Sequence, residues 1–234
     1  MEPLSIIFPL YNSAKLIPDT IEHITTYLEA KQIDYEIILF DNGSSDNTFE
    51  IAQSLASQHN TIRAFRIPEK GIGLALKQSI LEARFDHLFM CGIDLAFGTK
   101  VIDDSYMALV ENDAAIVMGS KLHPKSQVKQ NFKRRLGTYI SSFLRRFILG
   151  LKTRDPQGSI YCKKNHILKP LSNTKCENFF FTTELISLCE KQHCKIVEVP
   201  VSYTQEAGSG STVKIFSDAF LYIKDLLKSR FSNK

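Results

Sequence analysis

The 234-residue chain has no run of about 18 uninterrupted apolar residues, so no membrane-spanning helix is expected. Residues Met1 to Leu10 carry neither a basic stretch nor a small-residue cleavage site, which argues against a secretory signal. Five cysteines are present, at 91, 162, 176, 189 and 194, and none forms a C-x-x-C pair. An odd count without regular spacing points to reduced thiols and a cytosolic setting. Cys189, His193 and Cys194 lie close together, but their spacing matches no common zinc signature, and Cys189 falls in a helical apolar pattern. Internal repeats and low-complexity tracts are also lacking.

What remains is an ordinary globular composition, 44% hydrophobic and 23% charged, long enough for one large α/β domain with a short appendage. The net charge of +4 is modest but unevenly spread. Lys121, Lys125, Lys129, Lys133, Arg134, Arg135, Arg145, Arg146, Lys152 and Arg154 follow one another with no acid before Asp155. Such a block needs an anionic partner or open solvent.

Apolar runs at Leu4–Leu10, Tyr35–Asp41, Thr61–Pro68, His87–Asp94 and Ala114–Lys121 read as strands. Helical patterns fall between them, near 15–30, 46–58, 71–84 and 100–112. That alternation predicts a mainly parallel sheet with helices on both faces and a ligand crevice beyond the strands' carboxyl ends. In the second half, 131–151 reads as a long helix that is apolar yet basic, and Ser159–Lys163 as a strand. A helix near 179–192 and a strand over Lys195–Tyr203 follow, then a small polar loop at 205–212 and a basic amphipathic helix over 214–231.

Four segments carry candidate chemistry. Asp41 to Thr48 ends the second strand and opens a helix: Gly43 permits a tight turn, Asp46 is a cap, and Asp41 is placed to accept a hydrogen bond from a base N–H or a ribose hydroxyl. Gly71-Ile72-Gly73 lacks the third glycine of a dinucleotide fingerprint and follows the third strand rather than the first, so it reads as a turn into a helix. Glu69, Lys70 and Lys77 flank it as possible neighbours of a diphosphate. Asp94 ends the fourth strand, where a carboxylate is costly unless paired, solvated or metal-bound. Glu184 stands in an apolar helix, either as a functional acid or as a first-turn residue that complements the helix dipole.

Taken in order, these segments resemble family-2 glycosyltransferases of the glycosyltransferase A-type fold, nearest to the dolichyl- or polyprenyl-phosphate sugar synthases. The resemblance is carried by Ser5 to Asn12, Tyr35 to Thr48, Gly119-Ser120-Lys121, Arg134-Arg135 through Leu149-Gly150 to Asp155-Pro156-Gln157, Glu184-Leu185, and Glu198 to Val201. It implies a Rossmann-like glycosyltransferase domain over residues 1–213, with a nucleotide-sugar half to 122 and an acceptor half from 123, followed by a C-terminal helix over 214–234. The implied reaction is inverting transfer of a hexose from a nucleotide-sugar, of GDP-mannose or UDP-glucose type, to a polyprenyl or dolichyl phosphate. It implies no nucleic-acid partner.

By the same resemblance Pro9, Tyr11, Asn12 and Asp41 hold the nucleoside, and Lys70 and Lys77 lie near the diphosphate. Asp94 binds Mg²⁺ or Mn²⁺, which neutralises the leaving group. Lys121 with Arg134 or Arg135 holds the acceptor phosphate, and Glu184 completes the catalytic set. The chain departs from the family pattern in places. Gly92 stands where the first Asp of D-x-D is usual, Asn42 replaces a second Asp, and Lys121 replaces an Arg that would bind phosphate bidentately. The family's final basic pattern is blurred into Glu206 to Ser211. Two other functions stay open: transfer to a soluble or surface glycan, and a degenerate nucleotide-sugar-binding protein. The basic, apolar segments 131–151 and 214–231 favour a lipid acceptor and a protein at the cytoplasmic membrane surface.

Overall fold

The computed structural model describes residues 1–204, 222 and 224–229. In chain order the elements are β1 (Leu4–Leu10), α1 (Ile17–Ala30), β2 (Tyr35–Asn42), α2 (Thr48–Gln58), β3 (Ile62–Ile67), α3 (Ile72–Glu82), β4 (His87–Met90), α4 (Lys100–Glu111) and β5 (Ile116–Ser120). There follow β6 (Gln127–Lys129), α5 (Phe132–Leu149), β7 (Ile160–Lys163), α6 (Lys164–Ser172), α7 (Phe181–Lys191), β8 (Ile196–Pro200) and β9 (Ser202–Thr204). Tyr222 and residues 224–229 are helical; the remainder of the expected tail helix and the loop 205–212 lie outside the described residues.

Seven strands form one sheet in the order β3-β2-β1-β4-β7-β5-β8. Among the described strands of this sheet only β7 runs antiparallel, to both β4 and β5. The sheet is therefore mainly parallel, as the strand–helix alternation predicts. Its strands read as nearly continuous apolar runs because helices cover both faces. Leu4, Ile6, Phe8 and Leu10 pack with Ile17, Ile21, Ile24 and Leu28 of α1 on one face. Ile7, Ile38 and Phe40 pack with Leu76 and Ile80 of α3 and Leu185 of α7 on the other.

The differences from the expected elements have local causes. β4 stops at Met90, four positions before Asp94, and Leu95 takes a left-handed backbone at φ 42°. The expected strand over Lys195–Tyr203 divides at Val201, and its second piece pairs with β6 in a separate two-stranded sheet. β6 is three residues long and α6 contains Pro170, so neither leaves a strong periodic signal in the sequence.

Because β2 and β4 both run parallel to β1, their carboxyl ends share one rim of the sheet, and Asp41 and Asp94 both stand on it. The next landmark is a backbone contact between β5 and the segment entering β7. Gly119 N donates to Ser159 O at 2.9 Å. A Cβ on Gly158 would overlap the carbonyl oxygen of Gly119, so glycine is required there by space alone. Gly158→Ala should therefore destabilise the fold by about 1–3 kcal/mol through overpacking. At roughly 2–4 °C per kcal/mol for a chain of this size, a melting curve resolves the change. Gly137→Ala, whose added Cβ meets no atom of the described residues within 4 Å, is the matched control and should not lower the melting temperature.

Candidate active site

The first part of the site is the rim beyond β1, β2 and β3. Asp41 is fully buried. Its Oδ1 accepts from Ser44 N at 3.3 Å, and its Oδ2 lies 3.2 Å from Arg66 Nε, too poorly aligned for a hydrogen bond. Oδ2 is thus a buried carboxylate oxygen that lacks a donor, an arrangement that calls for an explanation. Gly43 turns the chain after β2 at φ +77°, and a Cβ there would come within 2.8 Å of Pro68 O. That close approach lays the segment after β3 across the turn and brings Lys70 Nζ over the Tyr11 ring, 4.0 Å from its centre. Asn12, left-handed at φ 49°, accepts from Ser45 N at 2.9 Å and donates its own N–H to Ser44 Oγ at 2.9 Å. Asp46 takes the Thr48 N–H at 3.1 Å. Burial pushes the Asp46 carboxyl up, but its hydrogen bonds with Thr48 and the neighbouring amides outweigh that and hold it below the ordinary range.

The second part is a cavity of about 270 Å³ lined by Asp94, Lys121, Gln157, Ser159 and Tyr203 among others. Asp94 is exposed, and its Oδ1 would stand 2.7 Å from a Cβ on Gly92, so the carboxylate folds back over the glycine. Among the described residues no group of three or more His, Cys, Asp or Glu could enclose a metal ion. Asp94 alone could hold a divalent cation whose other oxygen ligands would come from the substrate and water; the described residues form no protein cage for one.

Lys121 lines both this cavity and a larger one of about 690 Å³, and Gln157, Gly158, Cys91 and Gly92 also belong to both walls. Half-buried and buried carboxylates hold that junction by accepting backbone N–H groups. Glu190 takes Lys152 N at 2.9 Å and Thr153 N at 2.8 Å, and Glu198 takes Arg154 N at 3.1 Å and Asp155 N at 3.2 Å. Asp155 in turn accepts from Lys121 N at 3.1 Å.

The larger cavity is walled by Ile72 and Leu76 of α3, Phe181 of α7 and one face of α5, where Gly137, Ile140, Ser141 and Leu144 recur at helical spacing. Tyr222 closes it. Arg145, buried inside α5, donates to Tyr222 Oη at 3.0 Å and to Arg154 O at 3.1 Å, and its Nε has no hydrogen-bond partner among the described residues. Tyr222 also meets Thr183 Oγ1 at 3.2 Å and packs edge-on to Phe180.

Comparison with known proteins identifies this architecture. The profile described as Glycosyl transferase family 2 matches residues 5–169. The chain belongs to that family. A dolichyl-phosphate beta-glucosyltransferase of Dictyostelium discoideum is 27% identical over 243 residues, covering 97% of this chain and 74% of the relative. The Homo sapiens dolichyl-phosphate beta-glucosyltransferase is 26% identical over 222 residues, 88% of this chain and 68% of the relative. The fold matches a Mycobacterium tuberculosis glucosyl-3-phosphoglycerate synthase solved with Mn²⁺, UDP and phosphoglyceric acid, at TM-score 0.67 and 17% identity over 99% of this chain and 78% of that one. A mannosyl-3-phosphoglycerate synthase from Rubrobacter xylanophilus follows at TM-score 0.66 and 12% identity, over 98% and 73%. The protein is thus a hexosyltransferase with the glycosyltransferase A-type fold.

Within this family-2 site the sequence-derived residues are not all where the motifs put them. Tyr11, Asn12, Asp41 and Lys70 gather at the β1–β3 rim. Asp94 and Lys121 share one cavity. Pro9 instead lines the larger, apolar cavity. Lys77 points away from the rim and donates to Thr174 O at 3.1 Å, because α3 turns that side toward the segment after α6. Glu184 is buried and accepts from Lys175 N at 2.9 Å and Cys176 N at 2.8 Å, so it holds a loop and lines neither cavity. Arg134 is half-buried, whereas Arg135 is exposed and lies 6.0 Å from the centre of the Tyr139 ring. Gln157 and Asp155, which the sequence shows only as part of a motif, also stand at the junction, Gln157 on both cavity walls and Asp155 bonded to the Lys121 N–H. The signal for them was the spacing from Asp155 to Gly158, whose glycine is fixed by contact with Gly119.

The Asp41 oxygen that lacks a hydrogen-bond donor among the described residues, though it is ion-paired with Arg66, generates a test. Asp41→Ala should weaken nucleoside diphosphate binding by about 1–3 kcal/mol, the loss of a charge-assisted hydrogen bond. Calorimetric titration checks this, and an unchanged affinity in a folded variant removes Asp41 from the donor site.

Proposed function

We propose that the protein transfers a hexose of glucose type from a nucleoside-diphosphate sugar to a polyprenyl or dolichyl phosphate, with inversion at the anomeric carbon. The observation that carries this reading is the junction at Lys121, where a cation stands between the pocket of Asp94 and a cavity with largely apolar walls. The relatives' names, dolichyl-phosphate beta-glucosyltransferase, agree in sugar and acceptor. A soluble glycan would find few hydrogen-bond partners among Ile72, Leu76, Leu144 and Phe181, and the apolar wall likewise disfavours a small, fully polar phosphorylated acceptor.

In this mechanism Asp41 accepts from the base, Lys70 lies toward the diphosphate, and Lys121 holds the acceptor phosphate, with Arg134 one turn before the cavity-lining face of α5. Asp94 would hold Mg²⁺ or Mn²⁺ against the diphosphate, and a cation bound there supplies charge neutralisation for the leaving group. An oxygen of the acceptor phosphate attacks the anomeric carbon from the side opposite the diphosphate. The new C–O bond forms as the bond to the diphosphate oxygen breaks, and the electron pair leaves with that oxygen. The nucleophile is already anionic, so no general base is required, and positioning by cationic side chains is the main demand. Glu184 has no part in these steps.

α5 also turns an exposed apolar face outward. Phe132, Phe143 and Phe147 are 77%, 66% and 74% exposed, and Lys133, Arg135 and Arg146 lie exposed beside them. No helix among the described residues is long and apolar enough to cross a membrane. We therefore place α5 at the membrane surface, with its aromatic groups inserted and each nearby cation contributing about 1 kcal/mol at an anionic surface. Binding to anionic vesicles should exceed binding to neutral ones and fall with salt. Equal, weak binding to both would leave the acceptor without this route.

The function itself is tested by incubating labelled UDP-glucose and GDP-mannose with a short polyprenyl phosphate or with 3-phosphoglycerate. Transfer of glucose to the prenyl phosphate, lost in EDTA and in Asp94→Asn, is the expected result. Transfer to phosphoglycerate alone would overturn the acceptor assignment, and full activity in EDTA would remove the metal.

A further inference from the structure

We propose that Cys189 and Cys194 form a reversible dithiol–disulfide modification site, closed when a peroxide reaches Cys194. The pair stands where α7 ends and the chain turns into β8, and neither residue lines either cavity. The helix ends in a left-handed turn at His193, φ 58°. His193 N donates to Glu190 O at 3.0 Å, and Cys194 N donates to Cys189 O at 3.0 Å. A helix ending with this pair of bonds packs the residue after the turn onto the last turn of the helix, and an apolar pair commonly makes that contact. Here two cysteines make it, and their thiols interact directly.

The grouping of Cys189, His193 and Cys194 is not a metal centre: among the described residues no group of three or more His, Cys, Asp or Glu could enclose an ion. The two thiols have different parts to play. Cys194 is half-buried, so a small oxidant has access to it. Cys189 is fully buried, and burial pushes its thiol far up, so it stays protonated and does not react first. Its contact with Cys194 makes it the resolving partner. The Cys194 sulfur attacks one oxygen of hydrogen peroxide, the O–O bond breaks, and the other oxygen leaves as water with the Cys194 proton. The Cys189 sulfur then attacks the sulfenic sulfur. The S–S bond forms as the S–O bond breaks, and that oxygen leaves as a second water with the Cys189 proton. The two sulfurs are oxidised and the peroxide is reduced. Cys162 of β7 shares the buried cluster with Cys189 and is the competing thiol, also kept protonated by burial.

Peptide mapping of the full chain after treatment with hydrogen peroxide tests the site, with the remaining thiols alkylated under denaturing conditions. The wild-type protein should yield a Cys189–Cys194 cross-link, about 2 Da lighter than the reduced form for the two hydrogens lost, and a thiol reductant should reverse it. In Cys189→Ala, dimedone should trap Cys194 as the sulfenic acid. In Cys194→Ser, Cys189 should stay reduced, because the residue that reacts first is gone. Cys162→Ala should cross-link as the wild type does. Nucleoside diphosphate binding should be the same in each variant and in the oxidised wild type, which shows that all are folded. Wild-type protein in which Cys189 and Cys194 are both fully alkylated after peroxide overturns the site, and so does a cross-link between Cys189 and Cys162. Oxidation of Cys189 to the same extent in Cys194→Ser overturns the assignment of Cys194 as the residue that reacts first.

Discussion

The site depends on a place where two backbones meet without side chains between them. Gly158 lies so close to the Gly119 carbonyl that no Cβ fits. That contact brings the segment before β7 against the end of β5 and sets Gln157 and Lys121 on a wall common to both cavities. An antiparallel strand inside an otherwise parallel sheet is what makes the approach possible, because β7 enters from the rim at which β4 and β5 end.

The charges are arranged around this contact in two sets. Glu184, Glu190, Glu198 and Asp155 are spent on backbone N–H groups, each holding a loop that has no strand or helix to hold it. Such bonds to a carboxylate are stronger than neutral ones and fix the loops at little cost in mobile side chains. Lys121 and Lys70 instead lie over the aromatic rings of Tyr203 and Tyr11. Their ammonium groups remain near the cavities, where substrates that are themselves anionic can meet them. Arg145 differs from both sets: it is a buried cation whose described partners are a carbonyl and a hydroxyl, the latter that of Tyr222 on the wall of the larger cavity.

Much of the architecture was legible in the sequence because parallel strands buried on both faces leave long apolar runs. β1 has the boundaries the sequence predicts, and β2 differs by a single residue. The order of motifs identified the family, and the sheet put Asp41 and Asp94 on one rim. Individual roles were less legible, since a motif records that a residue recurs at a spacing but not which way its side chain points. Glu184 and Lys77 illustrate this: each is a charge next to a motif, and each is used for a neighbouring loop. The two-cavity form of the site was also hidden, because its walls come from β4, α3, α5, α7 and Tyr222, which are far apart in the chain. The glycine in Gly71-Ile72-Gly73 was legible as a turn but not as a contact; Gly73 is required because a Cβ there would lie 2.6 Å from Phe181 Cβ.

The central claim is that donor and acceptor meet at Lys121, with the acceptor's hydrocarbon in the apolar cavity. The most direct measurement is a crystal structure with a nucleoside diphosphate, Mn²⁺ and a short polyprenyl phosphate bound together. The account predicts the diphosphate beside Asp94, the acceptor phosphate in hydrogen-bond contact with Lys121 Nζ, and the tail in the apolar cavity beside Ile72, Leu76, Leu144 and Phe181. An acceptor phosphate away from Lys121, or a tail lying outside the apolar cavity, would contradict it.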